Sequence, residues 1–138
     1  GSADTHRVND SKELERAIKA TKHQPEMSVE EFIDGEEYTF DTVSINGVPQ
    51  FFNIAWYRPR PLVARSYEWL SPQVVALRHP EAPELNGGVA MGHAVLRALE
   101  FESGFTHMEW YLKADGDVVF GEIGGRPPGA HQVDRSVP

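Results

Sequence analysis

The chain has 138 residues, 40% of them hydrophobic and 25% charged, a composition ordinary for one soluble globular domain with a real core. Its formal charge of −8 argues against a nucleic-acid partner, because a phosphate backbone rewards clustered Lys and Arg. There is no cysteine, hence no disulfide framework and no thiolate nucleophile, and no signal peptide or apolar run near the roughly 20 residues that cross a bilayer, so the expectation is a cytoplasmic protein with no membrane partner.

Gly1-Ser2 is either native loop or an appended dipeptide, and the segment from Ala3 to Val8 reads as a short strand. Asp10 and Glu13 then have capping-box spacing, with Asp in the place of Ser or Thr, and Leu14, Ala17 and Ile18 recur at helical intervals, which predicts a helix from Ser11 to Ala20. A polar connector containing Pro25 follows.

From Gln24 to Tyr57 there is no Lys, Arg or His, while seven acids crowd between Glu26 and Asp41. Here the period is two. Tyr38, Phe40 and Thr42 point one way and Glu37, Thr39 and Asp41 the other, as in a half-buried strand. Asn46-Gly47 is a strong hairpin signal, and Val48 to Tyr57 is the returning strand of an antiparallel pair. Next, Arg58-Pro-Arg-Pro-Leu-Val-Ala-Arg65 is a basic, proline-punctuated loop, suited equally to an anionic ligand and to plain solvent.

Tyr67 to Leu77 has room for one or two short strands. Pro80 and Pro83 precede a helix from about Leu85 to Glu102, with Val89, Leu96, Leu99 and the alanines between them as its apolar face and Gly104 as the residue that ends it. The last elements form a hairpin from Phe105 to Ile123 around the turn Ala114-Asp-Gly-Asp117, and Gly124 to His131 reads as loop. The fold class expected is α+β, an antiparallel sheet with helices packed on one face and 1–138 as a single domain without internal repeats.

The chemistry concentrates in that hairpin. Alternation from Gly104 to Lys113 sets Met108, Trp110 and Leu112 on one face and His107, Glu109 and Tyr111 on the other. Glu122 lies thirteen positions after Glu109, a separation a hairpin closes, and Arg126 stands just beyond. Two carboxylates and a guanidinium suit Mg²⁺ held on phosphates: hard oxygen ligands for the metal and a bidentate cation for phosphate or carboxylate oxygens. The plainer alternative is an acidic hairpin facing water. A zinc site of His107 with His131 is disfavoured, because no His-x₃-His-like cluster accompanies them.

Three motifs in order, Val29-Glu-Glu-Phe-Ile-Asp-Gly-Glu-Glu-Tyr-Thr-Phe-Asp41, Phe105-Thr-His-Met-Glu109 and Glu122-Ile-Gly-Gly-Arg126, resemble the later, C-terminal half of an ATP-grasp domain, as in carboxylate–amine ligases and biotin carboxylase-like enzymes. The resemblance spans roughly residues 5 to 132. It implies ATP and Mg²⁺ (or Mn²⁺) as cofactors, with Glu109 and Glu122 as metal ligands and Arg126 as the catalytic cation that holds transferred phosphate or acyl phosphate. It also implies an adenine hinge in Glu30-Glu-Phe-Ile33, recognised through the carbonyl of Glu31 and the amide of Ile33, with Glu30 accepting from the adenine amino group. Glu37 takes the place of the ribose-binding acid. His107 is left to orient substrate, contact phosphate or pack against Glu109.

Two departures from the family pattern matter. The last metal motif usually runs Glu-x-Asn, whereas Glu122-Ile-Gly124 offers no second side-chain oxygen. The lysines and Gly-rich loop that hold phosphates belong to the earlier half, and Lys12, Lys19 and Lys22 lie on or beside a helix instead. The implied parent activity is an ATP-dependent ligase joining a small-molecule carboxylate to an amine through an acyl phosphate, with this stretch as a partial domain, inactive alone and paired as a homodimer. The alternative is a non-catalytic nucleotide-binding or assembly module derived from the same fold.

Overall fold

The computed structural model describes residues 5–60 and 73–129. The chain divides into two compact units, residues 1–32 and 33–138. In the first, helix α1 (Ser11–Ala20) begins where the sequence predicts, because the Asp10 carboxylate accepts from the Glu13 amide at 2.8 Å. Glu13 reaches back to the amide and side chain of Asn9 (2.8 and 2.9 Å), one residue earlier than a standard capping box. At the far end Thr21 closes the helix, its amide and hydroxyl both donating to the Ala17 carbonyl. No residue of α1 is buried. The expected strand from Ala3 to Val8 is not formed over residues 5–8, which make no strand pairing; Ala3 and Asp4 lie outside the described residues.

The second unit is built on an antiparallel sheet of six strands. Its centre is β1 (Gly35–Ile45), an eleven-residue strand in which aromatic and β-branched residues alternate with acids. Asn46 (φ 51°) and Gly47 (φ 77°) take the left-handed conformation that a two-residue hairpin turn needs, and the chain returns antiparallel. The returning segment is not one strand as the sequence reading has it. Ile54, fully buried, divides it into β2 (Val48–Asn53) and β3 (Ala55–Arg58), both pairing with β1. Strand β4 (Gln73–Ala76) extends the sheet beyond β3 and is the described part of the Tyr67–Leu77 expectation; residues 61–72 lie outside the described residues.

After a 3-10 turn (Pro83–Leu85) comes helix α2 (Asn86–Ala98), then β5 (Gly104–Lys113) and β6 (Val118–Gly124), giving the order β4-β3-β1-β5-β6 with β2 also beside β1. The core is Phe40, Ile54, Leu85, Leu96, Met108 and Trp110. Against it α2 turns Leu96 and, partly buried, Val89, as expected, but its other buried residues are Gly88 and Gly92, and Leu99 is 58% exposed. The reason is close approach. A Cβ on Gly88 would lie 2.2 Å from the Trp110 ring and one on Gly92 2.3 Å from Phe40, so the large side chains come from the sheet and the helix supplies hydrogen atoms.

The helix also stops earlier than expected. Glu100 (φ 49°) adopts the left-handed conformation, and the amide of Phe101 donates to the Leu96 carbonyl, so this non-glycine residue ends the helix in the role assigned to Gly104. Gly104 (φ 133°) instead opens β5. Residues 102 and 103 then clasp the β1–β2 turn, Glu102 accepting from the Gly47 amide and Ser103 from the Asn46 amide. Among the described residues no helix is long and apolar enough to cross a membrane.

Candidate metal and nucleotide site

Strand β5 pairs with β1 along its whole length, from Gly35 opposite Lys113 to Ser44 opposite Gly104. Because side chains alternate, Phe40, Met108 and Trp110 turn into the core under α2, and the other face carries Glu37, Thr39 and Asp41 beside Tyr111, Glu109 and His107. The alternation read from sequence holds on both strands. What differs is burial: Glu37, Thr39, Asp41 and His107 are all buried, so β1 is covered on both faces rather than half-buried.

The acids of the hairpin stand directly opposite each other, Glu109 across from Glu122. A regular hairpin would not do this. Leu112 pairs with Val118 and Trp110 with Phe120, so uninterrupted pairing would set Glu109 against Gly121 and turn Glu122 to the core face. A bulge between Glu109 and Trp110 on β5's partner inserts Gly121 as the extra residue and moves Glu122 to the polar face. The core records the switch, since Val118 and Ile123 both pack against it despite their opposite parity. Gly121 is required there: a Cβ would fall 2.8 Å from the Glu109 carbonyl oxygen.

Beside these acids runs a buried polar chain. The Ala55 amide donates to Thr39 Oγ1 (3.1 Å), whose own proton goes to Asp41 Oδ2 (2.8 Å). His107 Nδ1 meets Asp41 Oδ1 at 2.5 Å, and its Nε2 lies 3.4 Å from Glu109 Oε1. The hydrogen bond to Asp41, followed by that to Glu109, raises the imidazole from its ordinary 6.5 to about 9, against the opposing effect of burial. His107 is thus a cation at neutral pH. Both ring nitrogens face carboxylates, and His131 lies outside the described residues.

Arg126 follows the end of β6 in an exposed loop, its guanidinium donating to the Pro127 carbonyl at 3.3 Å. Its Nε would stand 3.4 Å from a Cβ on Gly124, and Gly124 is the register partner of His107. The Arg126 side chain thus runs over Gly124, two residues beyond Glu122 in the chain. Ile33 and Glu37 belong to the same unit, Glu37 opposite Tyr111. Glu30 and Glu31 belong to the first unit, where both are exposed and lie outside helix and strand.

The basic segment after β3 is engaged with protein where it is described. Arg60 pairs with Asp34 at 2.8 Å and with Glu36 at 3.6 Å, and Arg58 stacks on Trp56, whose indole donates to Glu36. Among the described residues no three His, Asp or Glu side chains are grouped so as to hold a metal ion. Glu109 and Glu122 offer two carboxylates, which fits Mg²⁺ bound with a nucleotide, because that ion typically takes one or two protein carboxylates and completes its shell with phosphate and water.

Asp41 and Thr39 are the site residues that sequence reasoning did not single out. Their parity with Glu37 was visible, but their place beside His107 depends on β1 pairing with β5, a contact across 66 positions.

No protein-family model matches the chain, and no curated protein matches it. Solved structures do. The crystal structure of L-amino acid ligase from Bacillus licheniformis superposes with a TM-score of 0.66 and 26% identity over 87% of this chain, which spans 29% of that ligase's length. That ligase is an ATP-grasp enzyme, and the chain carries a portion of the ATP-grasp fold.

Proposed function

We propose that this chain supplies the metal-binding and part of the nucleotide-binding side of an ATP-dependent ligase that activates a carboxylate as an acyl phosphate for attack by an amine. The observation that carries the reading is the opposition of Glu109 and Glu122 on one polar face of an ATP-grasp sheet. A divalent ion there would neutralise the phosphates of ATP and the charge that develops on transfer. Glu109 and Glu122 would hold it, and Arg126 would grip the transferred phosphate or the acyl phosphate bidentately. Glu37 would accept from the ribose hydroxyls, and the adenine would seat along Glu30, Glu31 and Ile33, the last two through backbone groups. A cytoplasmic setting goes with small-molecule substrates of this kind.

A second reading, a non-catalytic nucleotide-binding or assembly module, is favoured by one observation: Gly124 provides no side-chain oxygen where a further metal ligand would stand. Calorimetric titration of the chain with ATP in the presence of Mg²⁺ and then of a chelator tests nucleotide binding. Turnover by a longer polypeptide containing this chain separates enzyme from module, since only the ligase releases ADP when given acid and amine.

We also propose that the chain alone is inactive as a ligase and forms a homodimer. Phe51 and Phe105 flank Val43 in register across β2, β1 and β5, and both are at least half exposed, with Ile45 and Val48 exposed beside them. Light scattering and an ADP-release assay test both parts, and a monodisperse monomer that turns over ATP contradicts them.

A further inference from the structure

The geometry points to Asp41 and His107 as positioning residues that hold the Glu109 carboxylate opposite Glu122. This rests on the reading that Glu109 and Glu122 hold the divalent cation.

The direction of the chain is set by its first donor. A backbone amide only donates, so Thr39 Oγ1 accepts from Ala55 and must aim its own proton at Asp41 Oδ2. Asp41 Oδ1 then accepts from His107 Nδ1. Both Asp41 oxygens are engaged, which fixes the plane of the carboxylate and, through it, the plane of the imidazole. The ring's far nitrogen, Nε2, faces Glu109 Oε1 at 3.4 Å. Thr39, Asp41 and His107 are at most 5% exposed, so little freedom is left in the chain before it reaches Glu109, whose side chain is 24% exposed.

Glu109 is therefore the one member that opens to solvent, and the one that meets Glu122. With Oε1 facing His107, the other oxygen is left for a further partner. A carboxylate oriented in advance gives up less rotamer freedom when it takes a cation, which is why partners behind metal ligands commonly govern affinity without touching the ion. Every member comes from a strand rather than a loop: Thr39 and Asp41 from β1, His107 and Glu109 from β5.

The test uses the 138-residue chain with Mn²⁺ as the probe, free Mn²⁺ being counted by electron paramagnetic resonance in the presence of ATP. Asp41→Asn keeps the shape of the side chain, His107→Gln removes the ring, Glu109→Gln removes the ligand, and a double variant combines the last two. Asp41→Asn and His107→Gln are each expected to weaken Mn²⁺ by about tenfold, the scale for lost partners behind a metal ligand. The double variant is expected to bind no worse than Glu109→Gln alone, because His107 acts through Glu109. Wild-type Mn²⁺ affinity in folded Asp41→Asn, with Glu109→Gln defective, overturns the positioning role and leaves the metal reading standing. Additive losses in the double variant overturn it too. A wild-type chain that binds no Mn²⁺, or a Glu109→Gln variant that binds normally, defeats the metal reading and this inference with it. Should His107→Gln fail to fold, Asp41→Asn decides the matter, since a purely structural role lowers melting temperature and leaves metal affinity unchanged.

Discussion

Glu109 and Glu122 face each other across β5 and β6 because one glycine, Gly121, is extra. In the register set by Leu112 opposite Val118, uninterrupted pairing would have put them on opposite faces. The bulge thus makes a site out of two acids that strict alternation keeps apart, and it ties the proposed chemistry to a single backbone feature.

Gly121→Ala should disrupt that feature. Its Cβ would meet the Glu109 carbonyl at 2.8 Å and the carbonyl carbon at 3.2 Å, backbone atoms that cannot swing aside. The expected cost is about 1–3 kcal/mol of stability, as for other overpacked sites, with a larger loss of Mg²⁺-dependent ATP binding than the stability change explains. Unchanged nucleotide binding in a folded variant would separate the bulge from the site.

Glu100→Gly should stabilise the protein. Glu100 is exposed at φ 49°, where an L side chain costs about 1–2 kcal/mol and glycine costs almost nothing. Part of that gain is offset by the greater freedom of glycine in the unfolded chain, so a net gain of about 0.5–1 kcal/mol is expected. Urea unfolding measures it, and a lower midpoint contradicts the role of Glu100 as the end of α2.

His107 should carry its charge well above neutrality. Its folded value, about 9, lies above the ordinary 6.5, so the stabilisation it brings is complete below about pH 6.5 and is lost as pH rises through 9. Nitrogen-15 spectra of the ring should show both nitrogens protonated at pH 7.5. Melting temperature should fall between pH 7 and 9.5 in the wild type and fall less in His107→Gln. A ring titrating near 6.5 would mean that Asp41 does not hold it.

Glu37→Ala should weaken ATP by about 1.5–3 kcal/mol, the scale of a hydrogen bond to a charged group, if this acid receives the ribose hydroxyls. Binding of 2′,3′-dideoxy-ATP should weaken much less. Equal losses for the two nucleotides would remove Glu37 from the ribose site.

Much of this architecture was legible in local pattern. The period-two runs around Phe40 and Trp110, the Asn46-Gly47 turn and the cap at Asp10 are each written within a few residues. Features that depend on approach between distant segments were not. Besides Leu96, the buried face of α2 is made of Gly88 and Gly92, which carry no hydrophobic signal and matter only because Trp110 and Phe40 lie against them. Asp41 reaches His107 only once β1 pairs with β5. For Gly121 a signal did exist, since a lone glycine inside a strand pattern marks a bulge, and it supplies the register by which the two acids expected together come to stand opposite each other.

The central claim, that Glu109 and Glu122 together hold the metal of a bound nucleotide, is tested most directly by calorimetric titration of Mg-ATP into wild type and Glu122→Gln. The substitution removes a charged oxygen ligand and nearly preserves shape, on an exposed side chain that contributes little to the fold. The account predicts Mg²⁺-dependent binding in the wild type, loss of that dependence in Glu122→Gln, and melting temperatures without nucleotide that agree within a few degrees. Equal Mg-ATP affinity in the two proteins would contradict it.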